Sequence, residues 1–353
     1  MMVAALIMAA AIGSVASAAT EPAAPAPGEN LWERYKARFV TADGRIVDFY
    51  QEQGSHSEGQ GYGLLLAVAN GDKPAFDVIW RWTKSNLRVR HDALFAWRWG
   101  KRNTGAWDII DYNNATDGDV LIAFGLLKAH QKWGDEEYRT EALKTVVDLR
   151  TRMAVNWQGK TVLLPSYYGF TVPGGVVLNP SYIVFPAYRL FAAFDDRGFW
   201  EKLYRDGFYV ISKSYFGIHP LPPDWIVMYE SGVDIFREKG SLFGFEAIRV
   251  ILYLAQEKTR QFEKGTDWMF DHFQRTRELP LWVDLDKNSL SIATANAGVY
   301  ASFAAAARRF GKAEVAAKLA EQGRKQLELE GGQNYYSYSL YMLGVSGALE
   351  VND

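Results

Sequence analysis

Apolar residues recur at helical spacing along most of the chain. Val120, Leu121, Phe124 and Leu127 form one such stripe, and Leu143, Val146, Val147 and Leu149 a second. Ile248, Val250, Ile251, Leu252 and Leu254 form a third, and Ala304, Ala305, Ala306 and Phe310 a fourth. Spacings of three and four put such residues on one face of an α-helix. Strand-like alternation is confined to short runs around Arg45–Phe49 and Lys160–Leu164. Glycine, proline and asparagine clusters punctuate the helical stretches. They include Asn70-Gly71-Asp72-Lys73-Pro74, Asn103-Thr104-Gly105, Trp133-Gly134-Asp135, Val172-Pro173-Gly174-Gly175, Pro220–Asp224 and Gly331-Gly332. Their spacing of roughly 25–35 residues predicts about ten to twelve helices. The expected class is all-α with a few short strands. No internal repeat supports a solenoid, which favours a closed toroid of antiparallel helix pairs. In a toroid, loops at one end gather residues distant in sequence and form a natural cleft.

The N-terminal pattern differs. Val3 to Ile12 is apolar but too short to span a bilayer, and Ala16-Ser17-Ala18 is a small-residue cleavage site. Residues 1–18 read as an export signal, although no Lys or Arg precedes the apolar run. Residues 19–29 contain three prolines and read as an extended linker. No second linker follows, so 30–353 is expected to be one domain working in the periplasm or outside the cell.

Composition narrows the chemistry. The 353 residues carry a net charge of −2, with 48% hydrophobic and 23% charged residues, so the chain is globular and has no basic footprint for nucleic acid. Cysteine is absent, which excludes disulfides, thiolate metal sites and a cysteine nucleophile. The five histidines lack metal-ligand spacing, and no metal or cofactor is expected. Aromatic content is high, with 12 Trp, 19 Tyr and 20 Phe. Most of these rings fit a core. Others adjoin polar residues, as in Trp97-Arg98-Trp99, Tyr167-Tyr168-Gly169 and Tyr335-Tyr336-Ser337-Tyr338, and suit the half-apolar faces of sugar rings.

Three segments offer carboxylates for catalysis. Ser57-Glu58-Gly59-Gln60-Gly61-Tyr62-Gly63 sets one acid among three glycines. It reads either as a helix start capped by Ser57 or as an acid held beside a close-approach backbone. Asn113-Asn114-Ala115-Thr116-Asp117-Gly118-Asp119 places two acids ahead of an apolar helix, with Thr116 or Asp117 as its cap, and fits capping and catalysis about equally. A calcium loop is disfavoured because its twelve-residue ligand pattern is absent. Glu246 and Arg249 stand three apart on a predicted helix, as an ordinary ion pair or as an acid tuned by an arginine. Leu164–Phe170, Leu178–Tyr182 and Leu221–Trp225 look like ordered loops that present aromatic rings.

These motifs, in order, resemble the family 8 glycoside hydrolases, most closely the periplasmic endoglucanases encoded with bacterial cellulose synthase. The matching stretches are Ser57–Gly63, Leu94–Trp97, Ala115–Asp119, Asn179–Tyr182, Leu221–Trp225, Glu246–Arg249 and Tyr335–Leu340. The resemblance implies an (α/α)6 barrel and hydrolysis of β-1,4-glucan with inversion, by a monomer that acts on cellulose chains and has a possible link to the synthase and export complex. It places the general acid at Glu58, a sugar-contacting acid at Asp117 and the base at Glu246. It places glucan-binding groups at Trp97, Tyr182, Arg249, Tyr168 and Tyr335. One departure stands out. The similar relatives carry aspartate at the base, preceded by tyrosine, where this chain has Glu246 preceded by Phe245. The extra methylene moves the carboxyl, so a slower enzyme is expected, or in the extreme a glycan-binding protein with weakened catalysis. An isoprenoid-cyclase reading fails because Asp195-Asp196-Arg197-Gly198-Phe199 lacks the final acid of a D-D-x-x-D motif.

Overall fold

The computed structural model describes residues 30–351, so the expected signal and linker lie outside the described residues. Twelve α-helices are present among these: α1 (Leu31–Phe39), α2 (Ser57–Ala69), α3 (Lys73–Leu87), α4 (Thr116–Trp133), α5 (Glu136–Asp148), α6 (Phe185–Phe194), α7 (Arg197–Ser212), α8 (Ile248–Leu254), α9 (Glu263–Thr276), α10 (Ala297–Arg309), α11 (Ala313–Leu329) and α12 (Tyr335–Val345). The number and the class match the reading of the periodicity. None is long and apolar enough to cross a membrane.

The even-numbered helices form the interior. In α2, α8 and α10 nearly every residue is buried, and in α4 every residue from Thr116 to Leu127. Their sequences are apolar or small all round, the pattern of a helix surrounded by protein. Successive members touch in the order α2, α4, α6, α8, α10, α12, and α12 returns to α2. The partners α3, α5, α7 and α11 pack on α2, α4, α6 and α10 respectively, and α1 packs on α12. They keep polar outer faces, with exposed acids and bases such as Glu137, Arg205 and Glu321.

Twelve short strands occupy the connections: β1 (Ser55–His56), β2 (Ala96–Lys101), β3 (Trp107–Asn114), β4 (Ala154–Trp157), β5 (Lys160–Leu163), β6 (Thr171–Val172), β7 (Gly175–Leu178), β8 (Ile226–Tyr229), β9 (Gly232–Ile235), β10 (Leu242–Phe243), β11 (Val283–Asp284) and β12 (Ser289–Leu290). They form four small antiparallel sheets, ordered β1-β2-β3, β4-β5, β6-β7-β8-β9 and β10-β11-β12. The strand expected near Lys160–Leu164 is β5. The one expected near Arg45–Phe49 is not a strand: Ile46 and Asp48 make isolated bridges to Val40 and Gly54. Asn103-Thr104-Gly105 separates no helices and is the turn of the β2–β3 hairpin. That hairpin escapes a period-two reading because its outward positions carry aromatic and aliphatic side chains, including exposed Trp107, Ile110 and Tyr112.

Candidate active site

Close approach of two helices sets the position of Glu58. A Cβ at Gly61 would lie 2.6 Å from the Leu121 Cβ, and one at Gly118 would lie 2.2 Å from the Ser57 Oγ. Glycine at both positions lets the first turn of α2 press on the first turn of α4, which sets Glu58 beside Asp117. The glycines serve packing inside a regular helix, not an unusual backbone angle. Capping does not explain the segment either. The cap position of α2 is His56 without a side-chain bond, and Ser57 Oγ is buried with no partner. In the same way α4 is preceded by Ala115, not capped by Thr116 or Asp117. Asp119 is structural. It faces away from Glu58, accepts from Phe95 N at 2.8 Å and from Asn114 Nδ2 at 2.8 Å, and burial raises its pKa to about 7.

Arg249 is the hub. It enters from the first turn of α8 with its side chain only 1% exposed. Nη1 donates to Asp117 Oδ2 at 2.7 Å, to Tyr62 OH at 3.3 Å and to Glu58 Oε2, while Nη2 donates to Glu246 Oε2. One guanidinium therefore joins the three acids named from the sequence. It also fills the space where a cation would sit, and no cluster of three or more metal-ligating side chains occurs among the described residues. Glu246 itself is not on the helix. It lies in the turn Phe245–Ala247 just before α8, which corrects the expectation of a shared helical face.

The three acids differ in exposure. The Asp117 side chain is 2% exposed, that of Glu58 18% and that of Glu246 34%. Burial pushes the Glu58 carboxyl up to about 8, opposed by Arg249 and reinforced by the charges of Asp117 and Glu246. At neutral pH it keeps its proton while remaining reachable. The starts of α2, α4, α8 and α12 converge here, bringing Glu58, Asp117, Arg249 and Tyr335 together.

Rings surround the acids. The Tyr335 OH lies 3.5 Å from Glu58 Oε1 and 3.4 Å from His56 Nδ1. Half-buried Trp97 stacks on His56 with centroids 5.7 Å apart. His56 is kept neutral by burial and by Arg98, with its pKa lowered to about 4. Tyr182 places its ring 5.5 Å from the Arg249 guanidinium and packs on Trp225, which stacks on Phe170 at 5.5 Å. Tyr168 differs from the other predicted binding residues. It is 67% exposed, and its contacts are to Asn113 and Tyr167 rather than to the acids.

Four groups near the acids escaped the sequence reading. Asn179 Nδ2 donates to Glu246 Oε2 at 2.9 Å, its orientation fixed because Oδ1 accepts from Ser181 N and Oγ. Tyr336 OH donates to Phe245 O at 2.5 Å. Asp224 accepts from the backbone around Glu246. Tyr62 bonds Arg249. Asn179 and Asp224 stand inside N-P-S-Y and L-P-P-D-W, where attention to the aromatic rings hid the polar residue.

The model of "Glycosyl hydrolases family 8" matches residues 2–348. The chain belongs to glycosyl hydrolase family 8. An endoglucanase of Cellulomonas uda is 39% identical over 267 residues, covering 74% of this chain and 73% of that protein. The solved structure of endoglucanase Cel10 from Klebsiella pneumoniae, a family 8 glycosyl hydrolase, superposes with a TM-score of 0.79 at 36% identity, covering 89% of this chain and 97% of that one. Endo-β-1,4-glucanase CMCax from Acetobacter xylinum gives 0.80 at 30% identity over 90% and 96%. A cold-adapted family 8 xylanase, at 19% identity and a TM-score of 0.69, shares the fold.

Proposed function

We propose that this family 8 endo-1,4-β-glucanase cuts internal bonds of cellulose chains with inversion, using Glu58 as general acid and Glu246 as general base. The observation that carries the reading is the single buried guanidinium of Arg249 joined to Glu58, Asp117 and Glu246, with Glu58 held in its protonated form. Carboxyls on the two amino groups of one guanidinium lie no more than roughly 8 Å apart, compatible with the ~6.5–9.5 Å that leaves room for a water. Glu58 gives its proton to the leaving glycosidic oxygen. A water attacks the anomeric carbon from the opposite face and passes its proton to Glu246. The β-linkage becomes an α-hemiacetal, and solvent exchange restores both carboxyls. Asp117, beside Glu58, opposes the positive charge that develops on the sugar.

Trp97, Tyr182 and Trp225 flank the acids and offer ring faces to a glucan chain, and Tyr335 adds a hydroxyl. The contact order of the even-numbered helices supports a closed (α/α)6 barrel as one domain from 30 to 353. The Ala16-Ser17-Ala18 site supports export to the periplasm or beyond and a monomer trimming cellulose during synthesis.

Proton NMR of cello-oligosaccharide hydrolysis tests the reading, with wild type beside Glu246→Asp and Glu246→Gln. The first product is expected as the α-anomer, with Glu246→Gln reduced to a small residual activity and Glu246→Asp active. A β-anomer as first product, or unchanged activity in Glu246→Gln, overturns it. Retained oligosaccharide binding without turnover in the wild type points instead to a glycan-binding protein.

A further inference from the structure

The base carboxyl stands on a turn whose carbonyls bond into α8, Gly244 O accepting from Ile248 N, Glu246 O from Arg249 N and Ala247 O from Val250 N, while its own N–H groups find no acceptor there. The helix it precedes, α8, has seven residues, and its cap position, Ala247, makes no side-chain capping bond. The free N–H groups at such a start need an acceptor. Asp224, twenty residues upstream, supplies one. Its Oδ1 accepts from Gly244 N at 3.1 Å, Glu246 N at 3.2 Å and Ala247 N at 2.8 Å. Asp224 is itself tied back by its own N–H, which donates to Leu242 O at 2.8 Å. A Cβ at Gly244 would lie 2.6 Å from Asp224 Oδ2, so glycine there lets the carboxylate reach the turn.

The remaining contacts divide the work. Tyr336 OH holds the Phe245 carbonyl, and Asn179 and Arg249 hold the Glu246 carboxyl. Only Asp224 grips the peptide groups on both sides of Glu246. The body of α8 is secured separately by buried Ile248, Val250, Ile251 and Leu252. Loss of the Asp224 contacts therefore loosens the N–H side of the turn without removing its carbonyl bonds or the packing of the helix.

We propose that Asp224 is the positioning residue for Glu246, fixing through the Gly244–Ala247 backbone where the base carboxyl meets the attacking water. This rests on Glu246 being the base. One carboxyl oxygen shared by three N–H groups restrains the turn, and a misplacement of ~1 Å costs on the order of a hundredfold in rate.

The test measures kcat and KM on cellopentaose for Asp224→Ala, Asp224→Asn and Glu246→Gln, and for the Asp224→Ala/Glu246→Gln double variant, with thermal melts of each. Asp224→Ala is expected to lower kcat about a hundredfold with KM within about threefold. Asp224→Asn, which keeps an acceptor oxygen, is expected to recover most of that loss. In the Glu246→Gln background Asp224→Ala should cost less than about twofold, because a group acting through Glu246 has nothing left to position. An equal loss in both backgrounds, or kcat near wild type in Asp224→Ala, overturns the proposal while leaving Glu246 as base. Wild-type activity in Glu246→Gln overturns the base reading, and this one with it. If Asp224→Ala does not fold, Gly244→Ala is judged by the same outcomes, since its methyl displaces the carboxylate without removing a charge.

Discussion

The two carboxyls proposed as acid and base are held in opposite ways. Glu58 rides in the first turn of a thirteen-residue helix, and that helix is pressed against α4 at glycines a few residues away. Glu246 rides on an irregular turn fixed by partners from four other places: Asn179, Asp224, Tyr336 and Arg249. Glu58 depends on helix packing and burial, which raise its pKa to about 8. Glu246 depends on hydrogen bonds, which fix the place of its carboxyl.

The sharpest way to break this contrast is to remove the acid's proton. Glu58→Gln is expected to lower kcat by about 10³–10⁴-fold, with cellopentaose binding within a few-fold of wild type. Steady-state kinetics and calorimetry check it. Equal losses in kcat and binding would instead mean that Glu58 mainly holds substrate.

Next in size is the group the two regions share. Arg249→Met leaves three carboxyls facing one another with their buried cation gone. Breaking such a buried pair typically costs about 3–5 kcal/mol. Urea melts should show that loss, and the remaining activity should vanish at neutral pH. A variant as stable as wild type would show that the acids neutralise one another without the arginine.

The pH dependence separates the regions further. Glu58 is raised from an ordinary 4.5 to about 8, so the folded protein keeps a proton that the unfolded chain loses. Its stabilising contribution is full below about 4.5 and is lost as pH rises through about 8. Asp119 and Asp224, both raised to about 7, act in the same direction. His56, lowered to about 4, acts oppositely: the unfolded chain takes its proton first as pH falls from 6.5. Melting temperature should therefore peak on the mildly acidic side and fall toward pH 8. Activity should fall with it as Glu58 ionises. Glu58→Gln should flatten the alkaline decline of the melting temperature. An unchanged slope in that variant would mean that the burial of Glu58 is not what its surroundings impose.

The same contrast explains what could be read from the sequence. The helices were legible because their apolar spacing is local, and the acid was legible because its glycines lie within five residues of it. Asp117 and Arg249 were legible as members of short motifs. The supports of Glu246 were not, because Asn179 lies 67 positions away and Tyr336 is 91 from the carbonyl it holds. No local pattern encodes a contact at that separation. The caps assigned to Ser57, Thr116 and Asp117 failed for a related reason. The buried helix starts meet each other and Arg249: Thr116 Oγ1 donates to Leu164 O, Asp117 Oδ2 accepts from Arg249, and Ser57 Oγ lies against Gly118 without a partner. The β2–β3 hairpin failed because aromatic side chains on its outer face erased the alternation.

The smallest expected effect tests how far the site extends beyond both carboxyls. Tyr168 is exposed on the Leu164–Phe170 loop, anchored through Asn113 and packed edge-on against Tyr167 at 4.8 Å. It reaches none of the three acids, so a role in chemistry is excluded by geometry, but an open ring face can still carry a sugar. Aromatic stacking of this kind is worth about 0.5–1.5 kcal/mol, which predicts a KM rise of roughly two- to twelvefold for Tyr168→Ala with kcat unchanged. The effect should appear with long cello-oligosaccharides and disappear with those too short to reach the loop. Trp97→Ala, whose ring stacks on His56 beside Glu58, should lower kcat as well. If Tyr168→Ala changes kcat and leaves KM alone, the loop acts on the acids through Asn113 and Asn114, and the boundary drawn between binding and positioning residues moves outward to include it.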